Sequence, residues 1–246
     1  MLSRVLVLFY GIAAYAAFFV TILYGIGFVS GIAVPKTIDS GGLPGMEPLS
    51  SVLIDLAVLA FFGITHSTMA RPGFKKKLTR MIPAAAERST FVLVASLQLG
   101  LVFFLWQPLP IVLWQISHTA FVYAGIGISL VGWVVVFWSS FLIDHFDLFG
   151  LRQVWLNFKE TPYSHSPFMV RGLYKMVRHP LMTGFMMAFW ITPTMTLGHL
   201  LFALVMTVYI IIGVALEEKD LERALGEDYI AYKKSTPMFF PLKLKR

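Results

Sequence analysis

The residues best suited to chemistry gather in two short stretches of the last third of the chain. The first, Arg171-Gly-Leu-Tyr-Lys-Met-Val-Arg-His-Pro-Leu-Met-Thr-Gly184, sets Lys175, Arg178 and the His179 imidazole just ahead of Pro180. Proline suits the first helical position, where its missing N–H is not needed, so a helix is expected to start behind Arg178 and His179. Free backbone donors and the helix dipole at such a start favour a carboxylate or phosphate. The second stretch, residues 215–232, carries Glu217 and Glu218 where an apolar run passes into an amphipathic helix containing Tyr229 and Tyr232. A carboxylate beside lipid is costly unless it meets a partner, so an Arg, His179 or a cationic ligand is expected next to this pair. The plain alternatives are a positive-inside anchor for the first stretch and a solvated helix end for the second.

A third group lies nearer the middle of the chain. His66, Arg71, Arg88 and the run Asp144-His145-Phe146-Asp147 set imidazoles, guanidiniums and carboxylates beside long apolar stretches. Ionisable groups at a lipid boundary point to function. The ordinary alternatives are a helix-end histidine bonded to Ser67 or a carbonyl for His66, and a salt bridge or cap for Glu87-Arg88. The absence of cysteine removes disulfides, thiolate nucleophiles, Cys-ligated zinc and iron–sulfur clusters. No two histidines share the helical spacing of zinc ligands, so no metal site is expected.

Positioning these groups falls to membrane helices. The 246 residues are 57% hydrophobic and only 13% charged, with a mean hydropathy of +0.75, and the charges cluster between long apolar runs. That is more apolar surface than one soluble core buries, so lipid must act as solvent. The fold expected is an all-α integral membrane protein of about six transmembrane helices, drawn near 5–32, 49–68, 89–109, 118–142, 180–196 and 198–216. The net charge of +7 sits beside apolar spans, where retention of basic loops in the cytoplasm explains it without a nucleic-acid partner. Arg71, Lys75, Lys76, Lys77, Arg80 and Arg88 against Glu87 alone place the 71–88 loop inside, and both termini follow. The whole chain reads as one membrane domain, with helices over 1–143 and a cytosolic segment over 144–179. Aromatic residues in that segment, Phe146, Phe149, Trp155 and Tyr163, argue against disorder.

Together, Gly172, Tyr174, Arg178, His179, Pro180 and Gly184, then Glu217, Glu218, Leu221, Gly226, Tyr229, Tyr232 and Pro241, resemble the C-terminal signature of the isoprenylcysteine carboxyl methyltransferase and phospholipid methyltransferase superfamily. Met182 departs from the pattern, which usually has Tyr there. The resemblance implies S-adenosylmethionine bound over residues 168–241, in a cytosol-facing pocket formed by a C-terminal helical hairpin with no Rossmann domain. The absence of a strand–G-x-G-x-x-G–helix unit agrees. Carried over by position, the cofactor residues are Tyr174, Arg178, His179, Pro180, Leu181, Met182, Glu217 and Glu218, and more weakly Ser166, Pro167, Phe168 and Met169.

The runs His66-Ser-Thr-Met-Ala-Arg71-Pro-Gly-Phe-Lys75, Pro83 to Thr90 and Asp144 to Gln153 look like those of the membrane-bound methanethiol S-methyltransferases, which extends the resemblance over nearly the whole chain. It implies a small thiol substrate, methanethiol, converted to dimethyl sulfide with release of S-adenosylhomocysteine, by a protein of a bacterial inner membrane whose site opens to the cytoplasm. Transfer from a sulfonium is an in-line displacement, so the protein must position the reactants and provide a thiolate. His145 and His66 are the candidate bases, with Asp147 or Asp144 to orient an imidazole and Arg71, Arg88 or Arg152 to supply a positive field. Two other readings are a methyltransferase acting on a lipid or prenylated cysteine, and a non-enzymatic membrane subunit like relatives associated with nitrogen-oxide metabolism.

Overall fold

A computed structural model describes residues 1–164 and 167–241. It divides into two compact units, one of Met1–Ile111 with Asp144–His165, the other of Val112–Ile143 with Ser166–Arg246. The described residues include five helices long and apolar enough to cross a membrane, as expected of a helical membrane protein.

The first unit holds α1 (Leu2–Ser30), α2 (Pro48–Ala70), α3 (Pro72–Leu78), α4 (Glu87–Leu105) and, from the later segment, α6 (His145–Leu148) and α7 (Leu151–Phe158). α4 packs against both α1 and α2, and α7 lies on α1. Gly11 permits that contact, since a Cβ there would stand 2.5 Å from a Val154 methyl. Pro48 opens α2, and Pro72 separates it from the basic α3. Where α1 stops and α2 begins, Asp55 is wholly buried and its Oδ1 accepts from the Gln107 backbone N–H at 2.7 Å. Nearby, Trp106 donates to the Ile38 carbonyl at 2.9 Å and Lys36 to that of Phe104 at 2.6 Å. Asp55→Ala orphans the Gln107 donor and is expected to cost about 1–3 kcal/mol, read as a lowered midpoint of thermal unfolding in detergent.

The second unit holds β1 (Val112–Gln115), α5 (Thr119–Leu142), α8 (Pro180–Trp190), β2 (Thr194–Thr196), α9 (Leu197–Leu225) and α10 (Glu227–Ser235). α5 and α8 meet at Gly132 and Gly184, where a Cβ on the first would lie 2.7 Å from the carbonyl of the second. Two backbones approach that closely only when neither carries a side chain.

One expectation changes here. The span drawn over 180–196 is helical only to Trp190, about 16 Å of rise. Beyond it Pro193 has no N–H to continue a helix. The chain turns extended, and its strand pairs antiparallel with β1, Val112 opposite Thr196 and Gln115 opposite Thr194. This two-stranded sheet is small, and the described residues are otherwise mostly helical, consistent with the all-α membrane class. Hydropathy of side chains is blind to this, because it weighs transfer to lipid and not which backbone groups pair with which. The polar 144–179 segment carries α6, α7 and a 3-10 turn at Gly172–Lys175.

Candidate functional site

In the second unit the start of α8 is tied to α9, α10 and the chain beyond them through one buried carboxylate. Glu218 on α9 accepts from Arg178 Nε at 2.7 Å and meets His179 Nε2 at 3.0 Å, both through Oε1, while Lys233 Nζ approaches its Oε2 at 2.9 Å. The side chains of Arg178 and Glu218 are only 7% and 2% exposed, so this pair works without water. Arg178 also donates through Nη1 to the carbonyls of Lys233 and Thr236. Its backbone N–H reaches Pro237, that of His179 reaches Met238, and the Thr183 hydroxyl reaches Phe239. A planar guanidinium with several donors suits such a junction better than a lysine. Hydrogen bonds to Glu218 and Glu222 raise the Lys233 pKa and keep it charged.

Glu217, one residue earlier, has a different setting. Its side chain is 53% exposed, with His179 Nδ1 at 3.9 Å. Tyr174, Tyr229 and Tyr232 surround this end of the unit. The Tyr232 hydroxyl donates to the Tyr174 carbonyl at 2.6 Å, and the exposed Phe168 ring meets Tyr229 and Tyr232 edge-on. The Tyr229 hydroxyl is buried with no partner among the described residues. Burial pushes all three phenols up, Tyr232 to about 12, and the Glu217 charge adds to the effect at Tyr174 and Tyr229. Pro180 is buried, Leu181 and Met182 are half-buried on the first turn of α8, and Met169 is exposed. Ser166 lies outside the described residues.

The base candidates sit in the first unit. His145 is 3% exposed, and its Nε2 lies 2.8 Å from the Tyr15 hydroxyl of α1. Phe149 and Phe146 stand against the imidazole, with centroids at 4.8 and 5.4 Å, and Phe18 stacks on Phe149 at 3.9 Å. Burial lowers the His145 pKa, partly countered by the Asp144 carboxylate. Asp144 itself has φ of 89° and caps α6 by accepting from the Asp147 N–H. Asp147 turns elsewhere: its carboxylate takes Arg152 at 3.0 Å, Gln153 at 3.3 Å and the Tyr163 hydroxyl at 3.2 Å. Arg88 donates through Nε to the Leu148 carbonyl at the end of α6 and lies over Phe91, which also meets His66 with centroids at 4.8 Å. Arg71 turns back along α2 to the Ser67 carbonyl. The structure thus links Arg88 to α6 and, through Phe91, to His66.

Tyr15 and Lys233 escaped sequence reasoning. The tyrosine is a polar group inside an apolar run, a signal that some partner is needed but not which; its partner lies 130 residues away.

A polytopic helical membrane protein with a carboxylate-centred knot at the start of its α8 is the class that these features define. The model of the family described as "Protein of unknown function (DUF1295)" matches residues 67–236. The chain is 46% identical to methanethiol S-methyltransferase 2 of Bradyrhizobium diazoefficiens, over 98% of this chain and 92% of the relative. It is 48% identical to methanethiol S-methyltransferase 1 of the same organism, over 94% and 81%, and 45% identical to the methanethiol S-methyltransferase of Crocosphaera subtropica, over 98% and 93%. The chain belongs to the methanethiol S-methyltransferase family. No solved structure matches it.

Proposed function

We propose that this protein is an integral membrane S-methyltransferase that moves a methyl group from S-adenosylmethionine to methanethiol, giving dimethyl sulfide and S-adenosylhomocysteine. Identity of 45–48% along nearly the full chain to relatives named for this reaction carries the reading. The donor is assigned to the second unit, where the residues fit its chemistry. The Tyr229 hydroxyl, without a partner among the described residues, suits an acceptor, the exposed Glu217 carboxylate suits an ammonium or a ribose hydroxyl, and the faces of Phe168 and Tyr232 suit a sulfonium. Tyr174, His179, Pro180, Leu181, Met182 and Met169 complete this assignment. Arg178 and Glu218 serve it by fixing the start of α8. The bound donor supplies an electrophilic methyl on a cationic sulfur.

His145 is assigned as the base that generates the thiolate. Burial keeps its imidazole neutral and able to accept a proton at neutral pH. Arg88 holds α6 in place, while Asp147, through Arg152 and Tyr163, braces the segment that follows. Asp144, beside the imidazole, suits the imidazolium once it forms. His66 and Arg71 are assigned to the wall and cap at the end of α2.

The fifth membrane crossing is assigned to α8 plus the extended 191–196 segment. The three strand residues Thr194–Thr196 add about 10 Å to the helix, which together approach a hydrocarbon core of about 30 Å. Both termini then lie in the cytoplasm of a bacterial cell, and reporter fusions at either end are expected to give a cytoplasmic signal.

The test is headspace gas chromatography on membranes containing the protein, supplied with S-adenosylmethionine and methanethiol. Dimethyl sulfide is expected from the wild type. Glu217→Ala, an exposed change that leaves stability within about 0.5 kcal/mol, is expected to weaken donor binding at least tenfold by calorimetry. No dimethyl sulfide from protein that binds the donor would overturn the thiol as acceptor, and unchanged affinity in Glu217→Ala would remove the donor assignment.

A further inference from the structure

We infer that Tyr15 is a catalytic residue, a hydroxyl relay that carries the thiol proton to His145; this rests on His145 as the base. His145 is 3% exposed, enclosed by Phe149 and Phe146, and its Nε2 is covered by the Tyr15 hydroxyl at 2.8 Å. A thiol therefore cannot reach the nitrogen directly. Tyr15 is itself only half-buried, so the route to the imidazole runs through its hydroxyl.

A phenol suits this place because one oxygen both donates and accepts. With the Tyr15 O–H pointed at Nε2, the oxygen lone pairs face away and accept the proton of an approaching thiol. Of the groups facing His145, Tyr15 comes from α1, and Asp144, at the start of α6, puts a negative charge beside the imidazole. Phe18, stacked on Phe149, closes the aromatic side.

The thiol S–H bond breaks and a new O–H bond forms on Tyr15. The original Tyr15 O–H bond breaks and an N–H bond forms on Nε2. Tyrosine ends neutral, as it began, with imidazolium and thiolate as the products. The thiolate electron pair then forms the new S–CH3 bond, while the pair of the broken S–CH3 bond stays on the donor sulfur and neutralises it. His145 afterwards returns its proton to solvent.

Tyr15→Phe removes one oxygen and keeps the ring contacts to Phe18 and Phe149, which makes it the decisive variant in full-length protein in lipid nanodiscs. Its kcat for dimethyl sulfide formation is expected to fall about 100-fold at neutral pH, with donor affinity unchanged. Raising the pH toward the pKa of the free thiol is expected to restore most of the loss, because a ready-made thiolate needs no relay, whereas a structural defect would not respond. Wild-type kcat in Tyr15→Phe beside an inactive His145→Ala would overturn the relay and leave the base assignment standing. Wild-type kcat in both variants would remove the base assignment too. A Tyr15→Phe protein that binds donor but stays inactive at every pH would also overturn the relay.

Discussion

Glu218→Ala is expected to destabilise the protein by about 3–5 kcal/mol, the cost of leaving a buried charge without its counterion. The carboxylate is 2% exposed and has Arg178, His179 and Lys233 around it. Its removal leaves the Arg178 guanidinium buried with, among the described residues, the carbonyls of Lys233 and Thr236 as its remaining partners. The same arginine and its neighbour hold the chain at Pro237 and Met238 through their backbone N–H groups. Loss of the knot therefore loosens α8, α9 and the chain after α10 together, and donor affinity is expected to fall with stability. Glu218→Gln keeps the shape and one acceptor but no charge, and should fall between the two. The contrast with Glu217→Ala is the informative part: adjacent carboxylates, one lowering the thermal unfolding midpoint and donor affinity together, the other lowering affinity alone. A midpoint for Glu218→Ala within a degree of the wild type would show that the knot contributes no stability.

Much of this was legible in the sequence, for reasons that differ by level. Membrane helices are long and apolar, so α1, α2, α4, α5 and α9 appear as runs that composition alone picks out. The expectation of a cation beside Glu217 and Glu218 follows from the cost of burying a carboxylate, and Arg178 with His179 meets it at Glu218. Which of the two carboxylates turns inward was not legible, because adjacent helical residues point about 100° apart and their direction is set by packing. The stop of α8 at Trp190 was hidden for another reason: hydropathy weighs side chains, while the extended segment is held by backbone bonds to β1. The partners of Asp147 and His145 depend on contacts across the fold. Arg152 and Gln153 lie close in sequence to Asp147, but Tyr15 is brought to His145 by the docking of α7 and its neighbours on α1.

His145→Ala is expected to lower kcat by about 100- to 10,000-fold, the range spanned by a positioned general base. Donor affinity should stay put, since the donor residues assigned above belong to the second unit. The pH dependence follows from the direction of the shift. Burial lowers the His145 pKa from its ordinary value near 6.5, so the imidazole is neutral and competent through neutral pH, and activity declines only as pH falls through the lowered pKa. Stability changes over an adjoining window. Between that lowered pKa and 6.5 the unfolded chain binds a proton that the folded chain does not. The contribution of the neutral imidazole is therefore complete above the unfolded pKa and is lost as pH drops below it. In His145→Ala both dependences should vanish together: the acid limb of the residual rate, and the part of the acid destabilisation that belongs to this histidine. A pH series of thermal midpoints and of dimethyl sulfide rates on the two proteins checks this, and an acid limb retained unchanged in His145→Ala would assign the proton to another group. His66, wedged beside Phe91 and Phe62, would then be the next to replace.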